Sequence, residues 1–233
     1  AAYISKKSDT SAISPAAMSD YNKIMEELRD VIPLQLNDTA FVHSFAAYKR
    51  GMFLISTCNT INDAVVEAFQ DEMRSKFFTQ EIFDGYQVGI GNPIHGFADI
   101  SSLLLEAIFA NTSCTLEEDR FAKFADIGID ALLFAHCYTP YYDKYYGEIL
   151  DALSSTESGS SALIDTLLHY VYYGGNIEKT ANAMFQHKNT IRYRINKIST
   201  LLHIDNDIKL NSTLYLFSRL HYGRKYLQVF YAE

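Results

Sequence analysis

GGNIEKTANAMFQHKNTIRYRINKISTLL, residues 174–202, is the stretch whose reading decides this chain. Between Lys179 and His203 there is no acidic residue, while Lys188, Arg192, Arg194 and Lys197 follow one another closely. The spacing predicts two helices joined by a tight corner. Gly175 or Asn176 caps the first helix, because a short polar residue at that place satisfies free backbone amides. Ile177, Ala181 and Met184 share one side of it, and the small Ala181 lets two helices cross closely. Phe185, Gln186 and His187 form the corner, which lacks the glycine often found there. A second helix is expected over about 188–202. At about 100° per residue, Ile191, Ile195, Ile198 and Leu202 fall on one stripe that must face a core. The opposite face presents Asn189, Tyr193, Asn196 and Thr200, flanked by Arg192 on one side and by Thr190 and Lys197 on the other.

Such a helix has the parts of a recognition helix: an apolar seam for anchorage and polar residues turned outward. Arg and Asn form bidentate hydrogen bonds with guanine and adenine edges in a major groove, whereas Lys and Thr suit phosphates. The candidate DNA-binding residues are Lys179, Thr180, His187, Lys188, Asn189, Thr190, Arg192, Tyr193, Arg194, Asn196 and Lys197. His187 lies at the corner, where contacting a phosphate and bracing the turn are both open to it. Arg194 falls close to the buried stripe, which favours a structural ion pair or a phosphate contact over base reading. Two short helices with a corner also occur in bundles that never touch DNA, so geometry alone does not decide between the two.

Charge points the same way. The 233 residues carry a net charge of −8, unevenly placed. Residues 1–173 hold 11 Lys and Arg against 24 Asp and Glu, whereas residues 174–233 hold 9 against 4. A basic end on an acidic chain fits a polyanionic partner. The composition, 48% hydrophobic and 21% charged, suits a soluble globular protein with a real core. No apolar run reaches the roughly 20 residues of a membrane span, and AAYISKKSDTS lacks the apolar centre of a signal peptide. A cytoplasmic location with no membrane partner is therefore expected, although a piece cut from a longer protein would look the same. Cys58, Cys114 and Cys137 are far apart and never in a CxxC arrangement, which argues for reduced core thiols and against a zinc site.

Upstream, the chain alternates strands and helices. AAYIS reads as a strand and MSDYNKIMEELRDVI as a helix, with Met18, Tyr21, Ile24, Met25, Leu28 and Ile32 at helical spacing. TAFVHSFAAY and MFLIST read as a hairpin with Gly51 taking the turn. INDAVVEAFQDEMRSKF follows as a helix with Ile61, Val65, Phe69 and Met73 on one face, then the strand YQVGIG and the helix ADISSLLLEAIFANTS. This is a split β-α-β unit around a mostly antiparallel sheet, giving an α+β class for the chain. EEDRFAKFADIG holds a last strand or a linker, IGIDALLFAHC reads as a buried helix, and Pro140 as a break. From YYDKYYGEILDALSS onward the chain is helical, interrupted at STESGSS and at Gly174-Gly175. The two domains are expected at 1–125 and 126–233.

No histidine pairs with Cys, Asp or Glu at metal-ligand spacing, and no catalytic arrangement is legible, so neither metal, cofactor nor enzymatic activity is expected. GIGNPIHG fits no phosphate-loop pattern and reads as a strand end and loop. The tyrosines of YTPYYDKYYG and HYVYYGG sit among acidic residues, which favours core packing or a subunit interface over a base-stacking platform.

The decisive stretch also resembles a known family. Asn176, Thr180 and Ala181, Phe185, His187, Lys188, Asn189 and Thr190, Ile191, Arg192-Tyr193-Arg194 and Ile195 follow in order the pattern of the C-terminal helix-turn-helix of PucR-type regulators, which include the purine-catabolism and sugar-diacid regulators. LIDTLLHYVYYGG and LHIDNDIKLNSTLYLFSRL are similar to the helices before and after that motif, and the resemblance covers roughly 140–222. Residues 1–125 would then correspond to a degenerate cyclase-like (GGDEF-like) domain, best matched at YQVGIGNPIHGFADISSLLLEAIFA. A working cyclase needs a Gly-Gly-acid-acid turn and metal-binding carboxylates. The hairpin here reads Lys49-Arg50-Gly51, so no cyclase activity is expected. The resemblance implies a sequence-specific transcriptional regulator of a metabolic pathway, a homodimer on double-stranded DNA. A small-molecule effector would act through a sensor domain that this chain lacks. The competing reading is a ligand-binding or protein-interaction module whose helical end is a dimerisation scaffold.

Overall fold

The structure, a computed structural model, describes residues 1–7, 15–154 and 160–231, without the side chains of 15–18 and 160. The Met18 side chain and the centre of the STESGSS turn therefore lie outside the described residues. The chain divides into two compact units, Ala1–Leu132 with Tyr226–Glu233, and Leu133–Lys225.

The first unit is built from β1 (Ala2–Lys6), α1 (Pro15–Val31), β2 (Gln35–Leu36), β3 (Thr39–Tyr48), β4 (Gly51–Cys58), α2 (Asp63–Thr79), β5 (Tyr86–Ile90), α3 (Ile100–Glu117) and β6 (Phe121–Lys123). The sheet runs β2-β3-β4-β1-β5-β6. Its neighbours are antiparallel except β5 and β6, which pair in parallel and make the sheet mixed. The class is α+β, as the periodicities predict. Strand alternation explains the layers: Ala2 and Ile4 of β1 and Val88 and Ile90 of β5 join a core with Tyr21, Ile24 and Leu28 of α1 and Met73 and Phe77 of α2. Each fully buried Ile, Leu, Val, Met or Phe among them contributes about 1.5–3 kcal/mol.

The other set of β1 and β5 residues meets α3 through polar groups and glycines. Ser5 Oγ donates to Asn111 Oδ1 at 2.8 Å, and Asn111 Nδ2 donates to the carbonyls of Tyr3 and Gln87, each at 3.1 Å. Gln87 Nε2 returns a bond to the Asn111 carbonyl at 2.9 Å. A side chain at Gly89 would put its Cβ 2.0 Å from the Asn111 backbone nitrogen and 2.4 Å from the Ala107 carbonyl oxygen. The glycines of YQVGIG thus let a helix backbone lie directly on a strand.

Several local expectations change. Gly51 is not the turn residue of the β3–β4 hairpin. Lys49 takes the positive φ of 51°, while Gly51 is buried where a Cβ would stand 2.4 Å from the Ile4 carbonyl oxygen. Asn37 and Asp38, at φ 49° and 64°, close an unforeseen two-residue turn between β2 and β3, which suits residues that tolerate the left-handed region. EEDRFAKFADIG does hold a strand, β6. The division between units falls between Leu132 and Leu133 rather than at 125/126. Asp130, whose carboxylate accepts from Ser113 Oγ at 3.2 Å, thus falls in the first unit with α3. The helix of IGIDALLFAHC, α4 (Ile129–His136), is buried on one side only, at Leu133 and Phe134, with Ile129 and Leu132 exposed. Pro140 opens a helix instead of breaking one, α5 (Pro140–Ser154), because its missing N–H costs nothing in a first turn.

The second unit continues with α6 (Ser160–Tyr172), α7 (Ile177–Ala183), α8 (Lys188–Leu201) and α9 (Asp207–Tyr231), whose last residues, from Tyr226, count with the first unit. Leu153, Leu167, Ile191, Ile198, Leu214 and Phe217, from α5, α6, α8 and α9, are entirely buried at its centre. Tyr145, Tyr146 and Tyr170 pack against this core, whereas Tyr141 stays 86% exposed. Cys114 and Cys137 are buried free thiols and Cys58 is partly exposed; burial pushes the Cys137 thiol up to about 11. Among the described residues, no helix is long and apolar enough to cross a membrane.

Gly89→Ala is expected to destabilise the protein by about 3 kcal/mol or more, since the clash is with backbone that cannot rotate away. Urea unfolding of the variant against the parent chain measures this.

Candidate nucleic-acid interface

The corner is assembled from its caps inward. Gly174 and Gly175, at φ 61° and 79°, end α6, with the Gly175 amide donating to the Tyr170 carbonyl at 2.8 Å. Asn176 then caps α7, its side chain accepting from the Lys179 amide at 3.0 Å. α7 stops at Ala183, and Phe185 takes φ 53° with 93% of its surface exposed. That is the conformation a glycine would adopt without strain, and here an aromatic residue carries it. His187 opens α8: its Nδ1 accepts from the Asn189 amide at 3.2 Å. In the neutral ring the proton therefore sits on Nε2.

α8 is held by its seam. Ile191 and Ile198 are fully buried and Ile195 is 7% exposed, while Leu202, the C-cap residue, is half-buried against the same core. With that side fixed, the helix turns Lys188, Asn189, Arg192, Tyr193 and Asn196 to solvent, and leaves Thr190 and Lys197 half-exposed at the flanks. Tyr193 keeps 65% of its surface exposed. Arg192 Nη1 donates to Asn189 Oδ1 at 3.2 Å, so these two side chains act as one group. Lys188 lies 3.9 Å from Glu178 across the corner, an exposed pair that water screens.

Two candidates do other work. Thr180 is completely buried, and its hydroxyl donates to the Asn176 carbonyl at 2.7 Å. It secures the first turn of α7 and offers no group to a ligand, which corrects its place among the DNA-binding residues. Arg194 is half-buried and donates to Thr166 Oγ1 of α6 at 3.1 Å. Its partner is a hydroxyl rather than a carboxylate, and nothing in the local sequence marks a residue so distant in the chain. The Asn189–Arg192 link was legible in principle, since residues three apart on a helix are neighbours. Lys179 is exposed beside the corner. Among the described residues, no cluster of three His, Cys, Asp or Glu could hold a metal ion.

A short capped helix, a four-residue corner and a second helix with a buried seam and an open cationic face make a helix-turn-helix, the class of module that docks on DNA. Residues 163–210 match the family model of the PucR C-terminal helix-turn-helix domain, so this segment is a PucR-type helix-turn-helix. A proline-responsive transcriptional activator, PutR, from Bacillus subtilis (strain 168) is 24% identical over 201 residues, which are 84% of this chain and 46% of that protein. The chain therefore spans about half the length of that curated relative. The crystal structure of a regulator of polyketide synthase expression from Bifidobacterium adolescentis is 16% identical, covering 96% of this chain and 83% of that one. Its TM-score of 0.28 is too low to carry any argument.

Replacing Phe185 by Gly should raise stability by about 1 kcal/mol by relieving the left-handed residue. Asn176→Ala should lower it by about 1 kcal/mol through loss of the cap. Denaturant midpoints of the two variants move in opposite directions if the corner is built as described.

Proposed function

We propose that the chain is a sequence-specific regulator of a metabolic pathway, with α8 lying in the major groove. The observation that carries this reading is the split character of α8: Ile191, Ile195 and Ile198 are buried while Asn189, Arg192 and Tyr193 stand in solvent. Arg192 and Asn189 read base edges, and Lys188, Lys197, Lys179 and Thr190 hold phosphates. His187 presents its Nε2–H outward as a further phosphate donor while Nδ1 caps the helix. Asn196 reaches the groove floor or its wall one turn along. A homodimer would set two such helices in successive major grooves, roughly 34 Å apart. The relative's description as a proline-responsive activator is in keeping with metabolic control by a small-molecule effector, and the effector would act through a sensor domain outside this chain. Such work needs no membrane partner and suits a cytoplasmic location.

The sheet unit is read as a degenerate cyclase-like, GGDEF-like domain without enzymatic activity. Its order of strand, helix, hairpin, helix, strand and helix supports this. So does the hairpin turn: Arg50 is buried there, its guanidinium 5.7 Å from the ring centre of Tyr226 and 5.5 Å from that of Phe230. A turn filled by a buried cation under aromatic rings has no place for the acidic pair that phosphate chemistry requires.

Arg192→Ala and Asn189→Ala should each relax site preference and weaken operator binding by about 1–3 kcal/mol. Lys188→Ala and Lys197→Ala should leave preference intact and flatten the salt dependence. Selection of bound duplexes with the parent chain, followed by titrations of the four variants at several salt concentrations, tests this. Equal losses on specific and random duplexes for all four would end the base-reading assignment.

A further inference from the structure

The corner between α7 and α8 is closed by a residue chemically out of place there. The Phe185 amide donates to the Asn182 carbonyl at 3.2 Å and the Gln186 amide to the Ala181 carbonyl at 2.9 Å. These are the paired bonds that end a helix on a left-handed residue, ordinarily a glycine. The non-glycine residues with positive φ among those described are Asn37, Asp38, Lys49, Glu118, Phe185 and His203, and Phe185 alone of them is apolar. It is also the most exposed of the large hydrophobic side chains described. Neither property serves the fold. A bulky side chain strains a left-handed backbone, and a ring left in water gains almost no burial. Strain of this kind collects at ligand sites.

The surroundings say which ligand. Phe185 comes two residues before His187 and three before Lys188, both exposed, and α7 adds the exposed Lys179. From Lys179 to His203 the chain holds no acidic residue, and Glu178, just outside that run, lies 3.9 Å from Lys188. An uncharged ring among cationic groups matches a nucleic-acid backbone, in which the apolar faces of sugars alternate with phosphates. Docking geometry agrees. The first helix of such a module crosses the backbone and the second enters the groove by its N-terminal residues, so the corner between them stands over the bordering strand. A phenyl ring has no donor or acceptor for a base edge, and sugar is the surface it can cover.

We infer that Phe185 is a DNA-contact residue, its ring packed on a deoxyribose of the strand whose phosphates take His187 and Lys188. The inference rests on the proposed placement of α8 in the major groove and adds to it an uncharged contact that carries no sequence information. The residue trades fold stability for affinity: a glycine would suit the corner better and bind DNA worse.

Three variants of the full chain test this by duplex titration at several salt concentrations, on the selected operator and on a random duplex, with melting curves alongside. Phe185→Gly should melt higher than the parent and yet bind both duplexes about tenfold more weakly. Phe185→Ala, which keeps the left-handed strain, should lose the same affinity, so the loss follows the ring and not the backbone. Phe185→Tyr should stay within about twofold of the parent. The salt slope should be the parent's in all three, because the ring releases no counterions. Parent affinity in both Phe185→Gly and Phe185→Ala would overturn the inference and leave the ring to a protein partner. A loss that came with a shallower salt slope would overturn it too, by moving the effect to the neighbouring cations. Arg192→Ala in the same titrations tells the two readings apart: a change of site preference there with none of these losses ends the Phe185 contact alone, whereas a parent chain that binds no duplex ends both.

Discussion

Burial of three isoleucines on one side of α8 is the constraint on which the functional face depends. Ile191, Ile195 and Ile198 lie among residues of α5, α6, α7 and α9. Each contributes about 1.5–3 kcal/mol by leaving water. Rotating α8 by one residue, about 100°, would withdraw that seam and bring Arg192 and Asn196 inward, at the cost of burying a charge and an amide without partners. The cationic face is open because the apolar face has no alternative. Arg194 belongs to the same arrangement: it is the basic residue nearest the seam, and Thr166 holds it.

The sheet unit is organised by a different kind of fit. There the decisive contacts are backbone against backbone, made possible by Gly89 and Gly91, with the Asn111 amide tying β1, β5 and α3 into one network. Such a contact tolerates no added atoms, whereas the helical core could accept volume-conserving exchanges.

Much of this was legible in the residues, and the gaps have physical causes. Helical spacing located α1, α2 and α8, because a one-sided apolar pattern is what a packed helix requires. Asn176 was legible as a cap for the same reason: its side chain has one local task. What could not be read was anything set by partners far away in the chain. Gly51 looked like a turn residue, yet it is needed for the approach of Ile4, and Lys49, two residues earlier, takes the strained conformation instead. Thr180 stood among the DNA-binding candidates, but its hydroxyl donates to the Asn176 carbonyl. Ile129 and Leu132 looked buried because α4 is mostly apolar; they stay exposed.

The hydrogen bond from Arg192 to Asn189 has a consequence for how such a protein diverges. Two side chains that hold each other cannot be tuned separately, because changing one frees the other to reorient, and their effects do not add. A preference for neighbouring bases is then inherited as a pair. A descendant that acquires a new operator must exchange both residues together or pass through an ancestor that recognises neither site well.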